Sequence, residues 1–225
     1  MDILFFAAIA FFIFFKLKAQ LGKIDEGEKK QIQDKISQKK QLLESLQNQM
    51  MSGQNKMKVV NEEQNKIDEK ITSSLDPNSK DNFFKAIKAC NISSEFFLNG
   101  AKSAFEMVVK AFAGTDLETL KFLLSEKIYA GFEGSINQRK AASQTLVSNL
   151  ISIEKSEIIS ASMLGNEALV TIKFVSQQIN YVTDKDGQIT EGRKDQIAEL
   201  TDIWTFKKDV TISNPNWTIV STNSN

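Results

Sequence analysis

Apolar and polar positions alternate most regularly in the last third of the chain. From Ala168 to Phe174 the even positions are Ala168, Val170, Ile172 and Phe174, with Thr171 and Lys173 between them, which is the period of a half-buried strand. A second run keeps that period: Ala198, Leu200, Trp204 and Phe206 share one parity, and Glu199, Thr201, Thr205 and Lys207 take the other. Upstream, Glu157 to Met163 predicts a strand that turns back through Gly165-Asn166. A two-residue turn there pairs Ile159, Ala161 and Met163 with Ile172, Val170 and Ala168. Between the later two strands, a two-residue turn at Asp186-Gly187 would set even positions against odd ones and split the apolar face. The pattern therefore requires an odd, longer loop or a bulge. The whole stretch from Glu157 to Thr222 reads as one antiparallel sheet with one apolar face.

Ahead of the sheet the period changes to that of helices. Ser93 or Ser94 caps a helix on which Phe97, Ala101, Ala104, Phe105, Val108 and Phe112 form one stripe, ended by Gly114. Thr115-Asp116-Leu117-Glu118 is a capping-box pattern that opens a short helix bearing Leu117, Leu120, Leu123 and Leu124. A further helix starts at Ser125 and carries Ile128, Phe132 and Ile136. Segregated helices followed by an antiparallel meander give an α+β fold, with the Phe97–Phe112 stripe as the cover of the sheet. Asp81 to Cys90 is a short amphipathic piece in which Phe83, Phe84 and Ile87 accompany Lys85 and Lys88. That combination suits a membrane surface, a partner groove, or packing on its own domain.

The N-terminal third has two other textures. Ile3 to Phe15 is apolar on every side of a helix, so it has no polar face with which to lie along a membrane and predicts insertion. Its rise of about 20 Å falls short of a hydrocarbon core of roughly 30 Å. Met1 and Leu17 extend it, while Lys16 and Lys18 snorkel. Lys16, Lys18 and Lys23 on its C-terminal flank place the rest of the chain on the cytoplasmic side. From 24 to 74 the chain is rich in Lys, Gln, Glu and Asn. Ile32, Ile36, Leu43, Leu46, Met50, Met57, Val60, Ile67 and Ile71 still keep a heptad spacing, broken by Lys39, Gly53 and Gln64. A coiled coil or hairpin that self-associates and a charged tether both remain open. The expected layout is an anchor over 1–21, a charged helical or coiled-coil linker over 22–78, and an α+β domain over 79–225.

Composition removes several functions. Lys plus Arg and Asp plus Glu number 28 each, with no basic cluster, so nucleic-acid binding lacks its electrostatic source. The single cysteine, Cys90, excludes an internal disulfide and fits a reducing compartment. Histidine is absent, so no His-based triad, relay or zinc site can form. Asp184, Asp186 and Gly187 suggest a calcium loop only loosely, because the other ligand positions are missing, and they read as a turn. No metal, cofactor or catalytic residue is expected.

Certain runs carry a family likeness: Phe97-Leu98-Asn99-Gly100-Ala101-Lys102-Ser103-Ala104-Phe105-Glu106-Met107, Ala111-Phe112-Ala113-Gly114, Trp204-Thr205-Phe206 and Asn214-Pro215-Asn216-Trp217. Over roughly 83 to 222 the chain resembles the Tim44-like domain family. This is the family of the import-motor anchor subunit of the mitochondrial inner-membrane presequence translocase, here in its alphaproteobacterial form with one N-terminal membrane helix. The resemblance implies helices packed on a strongly curved antiparallel sheet, the cone of nuclear transport factor two and cystatin-like folds. It also implies a cavity walled by Phe105, Val108, Phe112, Phe132, Ile172, Phe174, Trp204 and Phe206. Asp202, the polar group on the apolar parity of its strand, must find a partner or sit at the cavity mouth. One carboxylate without a second acid or a histidine gives acid–base catalysis no constellation.

The function implied is a non-enzymatic scaffold on the bacterial inner membrane, single-pass, with its C-terminal domain cytoplasmic and in contact with lipid. Its partners would be the membrane, protein-translocation machinery, a chaperone or nascent membrane proteins, with self-association through 24–74. A small-molecule-binding, lipid-binding or enzymatic cone, and a periplasmic secretion-system assembly factor of the same fold, are the alternatives.

Overall fold

The computed structural model describes residues 61–224, so the anchor run and most of the 24–74 heptad lie outside the described residues. The described residues belong to one compact unit, Val60–Asn225. Five helices come first: α1 (Asn61–Ile71), α2 (Pro77–Ala89), α3 (Ser94–Ala113), α4 (Leu117–Leu123) and α5 (Glu126–Ala141). None of them is long and apolar enough to cross a membrane.

Local chemistry sets the helix ends. Asp76 accepts from the amides of Asn78 and Ser79 ahead of α2, with Pro77 at the first helical position, where a missing N–H costs nothing. Ser93 Oγ accepts from Phe96 N at 3.1 Å to open α3, and Asp116 Oδ1 accepts from Thr119 N at 3.0 Å to open α4. Three helices end on non-glycine residues in the left-handed region: Asn91 after α2, Thr115 after α3 and Ser143 after α5. The backbone bonds Ile92 N to Ile87 O, Asp116 N to Ala111 O and Gln144 N to Arg139 O close these turns. The sequence placed the end of α3 on Gly114. Gly114 has an ordinary φ of −78°, and the left-handed step falls one residue later.

Five strands follow, β1 (Thr145–Leu164), β2 (Glu167–Thr183), β3 (Ile189–Gly192), β4 (Ala198–Asp209) and β5 (Thr218–Ser224). The sheet runs β1-β2-β4-β5, with β3 paired to one end of β2, and every pair is antiparallel. The fold is α+β, as the alternation of the sequence indicated. β1 is much longer than its apolar alternation suggests, because three bulges interrupt its register, at Leu150/Ser152, Ile153/Lys155 and Ile158/Ser160. Each bulge inserts a residue, bends the strand and increases its twist, which lets the sheet curl around the helices.

The last bulge also corrects the expected register. Ala161 and Met163 face Val170 and Ala168 as expected, whereas Ile158, not Ile159, faces Ile172. Ile158 is fully buried and Ile159 only half-buried, since the extra residue reverses which parity points inward. Between β2 and β4 even positions meet even positions, as in Val170 with Phe206 and Ile172 with Trp204. The connection that allows this is long and contains β3. Asp184 Oδ1 accepts from the amides of Asp186 and Gln188 at its tip, both at 2.9 Å, so the carboxylate shapes a turn.

Helix α3 lies across the concave face and buries Phe97, Ala101, Phe105, Val108 and Ala111. Each large apolar side chain so buried stabilises the fold by about 1.5–3 kcal/mol. Helix α2 packs beside it through Phe83, whose ring lies 5.6 Å from that of Phe97. Ser74 Oγ donates to Ile158 O at 3.2 Å and Asn82 Nδ2 to Ala161 O at 3.5 Å, giving two carbonyls of edge strand β1 a partner.

Candidate functional site

The concave face is aromatic at its centre. Phe105 stands between Phe174 and Trp204, with centroids 4.6 and 4.7 Å away, and Phe174 meets Trp204 edge-on at 6.0 Å. Phe105, Val108, Ile172, Phe174, Trp204 and Phe206 are all buried. They pack against one another beneath α3. Phe112 and Phe132, the other two residues expected on the cavity wall, are half-buried and meet edge-on at 4.9 Å.

Those two rings border a groove of about 300 Å³, lined by Phe112, Lys127, Ile128, Gly131, Phe132, Ser135 and Thr222. It lies between the end of α3, one face of α5, and β5. Ile128, Gly131, Phe132 and Ser135 share one face of α5 by helical spacing. The groove exists partly because Gly131 has no side chain, and a Cβ added there would meet nothing within 4 Å. One turn past Ser135, the Arg139 guanidinium sits 4.2 Å over the Phe112 ring, and Nη2 donates to Phe112 O at 2.9 Å. It thereby caps an orphan carbonyl of α3. Among the described residues neither Arg139 nor Lys127 forms an ion pair.

Towards one end the concave face turns polar. Ser176 and Gln178 continue the buried parity of β2 beyond Phe174. Gln178 Nε2 donates to Ser176 Oγ at 2.8 Å and Asn180 Nδ2 to Gln178 Oε1 at 3.1 Å, while Asn180 Oδ1 has no partner among the described residues. Across on β4, Asp202 is 6% exposed and accepts a hydrogen bond from the Ser224 hydroxyl of β5. Burial raises its pKa above the ordinary carboxylate value, while the Ser224 hydroxyl and the Trp204 indole N–H act in the opposite sense. Trp204 Nε1 lies near enough to influence the carboxylate, yet meets no acceptor in hydrogen-bond geometry among the described residues. Asp202 is thus a buried, hydroxyl-partnered carboxylate.

Lys208 shares the parity of Asp202 and is equally buried. Its Nζ donates to Asp209 O at 3.2 Å, Ile212 O at 2.9 Å and Asn214 Oδ1 at 3.5 Å, which pins the β4–β5 loop. Among the described residues no group of three or more metal-ligating side chains comes together.

The segment with membrane-surface character packs on its own domain. Phe83 is fully buried and Ile87 nearly so, and Phe84 packs partly against the core. Lys85 pairs with Asp81 at 2.6 Å on the outside, and Lys88 is exposed. The apolar stripe of α2 faces Phe97 rather than solvent, which leaves the lysines at the surface. The residues of the family likeness are packing residues too: Phe97 joins Trp217 at 4.8 Å and Phe206 at 6.3 Å.

Alternation alone did not reveal Ser224, Arg139 or the groove positions Lys127, Gly131, Ser135 and Thr222. Continuing the β2 parity past Phe174 would have found Ser176 and Gln178. The rest depend on pairing between strands and on helix placement, which leave no local signal.

Residues 84–224 match the family described as the Tim44-like domain. The chain is 28% identical over 109 residues to a Caenorhabditis elegans protein named probable mitochondrial import inner membrane translocase subunit tin-44, covering 48% of this chain and 26% of that protein. It is 25% identical over 101 residues to the Arabidopsis thaliana mitochondrial import inner membrane translocase subunit TIM44-1, covering 45% of this chain and 21% of that one. The chain thus spans about a quarter of the length of these curated relatives. A solved nuclear transport factor 2 (NTF2-like) superfamily protein from Salmonella enterica aligns at 11% identity and a TM-score of 0.37, covering 59% of this chain and 92% of that one.

Proposed function

This chain belongs to the Tim44-like domain family, and from that premise we propose that it is a membrane-anchored, non-enzymatic scaffold for protein translocation or membrane-protein assembly. The observation that carries this reading is the family match itself, which takes in all five strands and helices α3 to α5. The curated relatives, named as translocase subunits, support the translocation role. The apolar run Ile3–Phe15 and the lysines behind it support a single-pass anchor over 1–21 in a bacterial inner membrane, with the domain over 79–225 on the cytoplasmic side. Residues 22–78 are then the linker, whose last part packs on the domain through Ile71 and Leu75, with self-association through the part of 24–74 that precedes it. The partners are translocation machinery, a chaperone or nascent membrane proteins. The absence of histidine, and a hydroxyl rather than a second acid as the hydrogen-bond partner of Asp202, support a role without catalysis.

Crosslinking the full-length protein in native membranes, followed by its capture, tests the reading. Enrichment of a translocase component, chaperone or nascent chain over an unrelated single-anchor protein is expected, and no enrichment overturns it. Protease added to spheroplasts should leave 24–225 intact; digestion from the periplasmic side overturns the topology and favours a periplasmic assembly factor. Deleting Met1–Lys18 should release the protein to the soluble fraction.

A further inference from the structure

The groove between the end of α3 and one face of α5 combines an apolar floor with Lys127 on its lining and Arg139 beside it over Phe112, and neither cation forms an ion pair among the described residues. Phe112, Ile128 and Phe132 supply the apolar surface, and Gly131 supplies the space. Lys127 lies in the first turn of α5 and Arg139 in its last. Twelve helical residues separate them, about 18 Å along the axis. Glu133 is held by the Tyr129 hydroxyl at 2.8 Å, and neither it nor any other carboxylate lines the groove. The guanidinium of Arg139 is anchored by one nitrogen on Phe112 O, so its remaining donors have no carboxylate to meet among the described residues.

We infer that this groove docks a short acidic, apolar segment of a partner protein, with its apolar side chains on Phe112 and Phe132 and carboxylates reaching Arg139 and Lys127. The span between the two cations matches about five or six residues of extended chain. A volume of about 300 Å³ is at the small end for a binding cavity, enough for a few side chains and too small for a pair of acyl chains. Charge complementarity selects the occupant: a basic segment would bring a third cation to two that have no ion pair among the described residues. The inference stands apart from the translocase reading, since it needs only a protein ligand of this chemistry.

The test uses the full-length protein in a mild nonionic detergent and a fluorescein-labelled eight-residue peptide of alternating leucine and glutamate, read by fluorescence anisotropy. Saturable binding that is at least about tenfold tighter than that of the leucine–lysine counterpart is expected, together with weakening by salt. Gly131→Leu places a side chain on the groove lining, at a position where a Cβ meets no atom within 4 Å. It should weaken binding about tenfold or more while the melting temperature holds or rises, because leucine is the better helix former. Lys127→Glu, at an exposed position, should weaken it several-fold. The inference is overturned if the acidic peptide does not bind, if both peptides bind alike, or if Gly131→Leu leaves binding unchanged. Displacement of the peptide from the wild type by soluble short-chain phosphatidylglycerol, at equal concentration, would assign the groove to a lipid headgroup and overturn it as well.

Discussion

Phe105 on α3 and Phe174 on β2 lie stacked, their ring centroids 4.6 Å apart and their planes inclined by 26°. This contact fastens the covering helix to the centre of the curved sheet, and both rings are fully buried. Phe105→Ala should therefore lower the unfolding free energy by about 3–5 kcal/mol, the range for truncating a core aromatic. Urea denaturation followed by tryptophan fluorescence measures it, with Trp204 adjacent as reporter. A loss below about 1 kcal/mol would mean that α3 is not seated on the sheet as described.

The β1 bulge makes neighbouring isoleucines unequal. Ile158 is inside the core and Ile159 is the extra residue of the bulge. Ile158→Ala should cost about 2–5 kcal/mol and Ile159→Ala less than about 1 kcal/mol. The reverse order would restore the unbulged register.

Asp202 ties stability to pH. Its pKa is raised on folding, first by burial, with Ser224 and Trp204 opposing. The native state holds this proton more tightly than the unfolded chain, so the stabilisation is complete below the unfolded value near 3.9 and declines as pH rises through the folded pKa. Asp202→Asn keeps an acceptor for the Ser224 hydroxyl and removes the titration. Thermal unfolding should show the variant gaining on the wild type as pH rises from about 4 through the raised folded pKa, with a flatter profile. An unchanged difference across that range would show that the carboxylate is not desolvated.

Gly192 holds β3 against β2. It has φ +72°, and a Cβ there would stand 2.2 Å from Asn180 O and 2.9 Å from Tyr181 Cα. Gly192→Ala must therefore push β3 away from β2, at a local cost of about 1–3 kcal/mol. β3 is exposed along its length, so the melting temperature should change little, while amide exchange near Val182 and Thr183 should quicken. Unchanged exchange would count against the pairing.

The even parity of Ala168 to Phe174, with that of Trp204 and Phe206, was enough to indicate an antiparallel sheet with one apolar face, and the Phe97–Phe112 stripe indicated its cover. Both are periodic over several residues and bury surface in proportion to that regularity, so the hydrophobic effect acts on a pattern that a sequence displays. The odd connection before β4 was legible for the same reason, because a wrong parity would have buried Glu199 and exposed Trp204.

Tertiary structure decided the rest. Which isoleucine of Ile158 and Ile159 enters the core depends on a bulge, and a bulge is a bargain between two strands rather than a property of either. Phe83 and Ile87 turned inward because Phe97 was there to receive them, a choice that an amphipathic pattern leaves open between a membrane, a partner and the chain's own core. Arg139 reaches Phe112 across 27 positions of sequence, and the groove depends on how α5 meets the end of α3 at Phe112 and on the missing side chain of Gly131. Such features follow from packing between elements distant in the chain, where shape and desolvation act on pairs that no local period brings together.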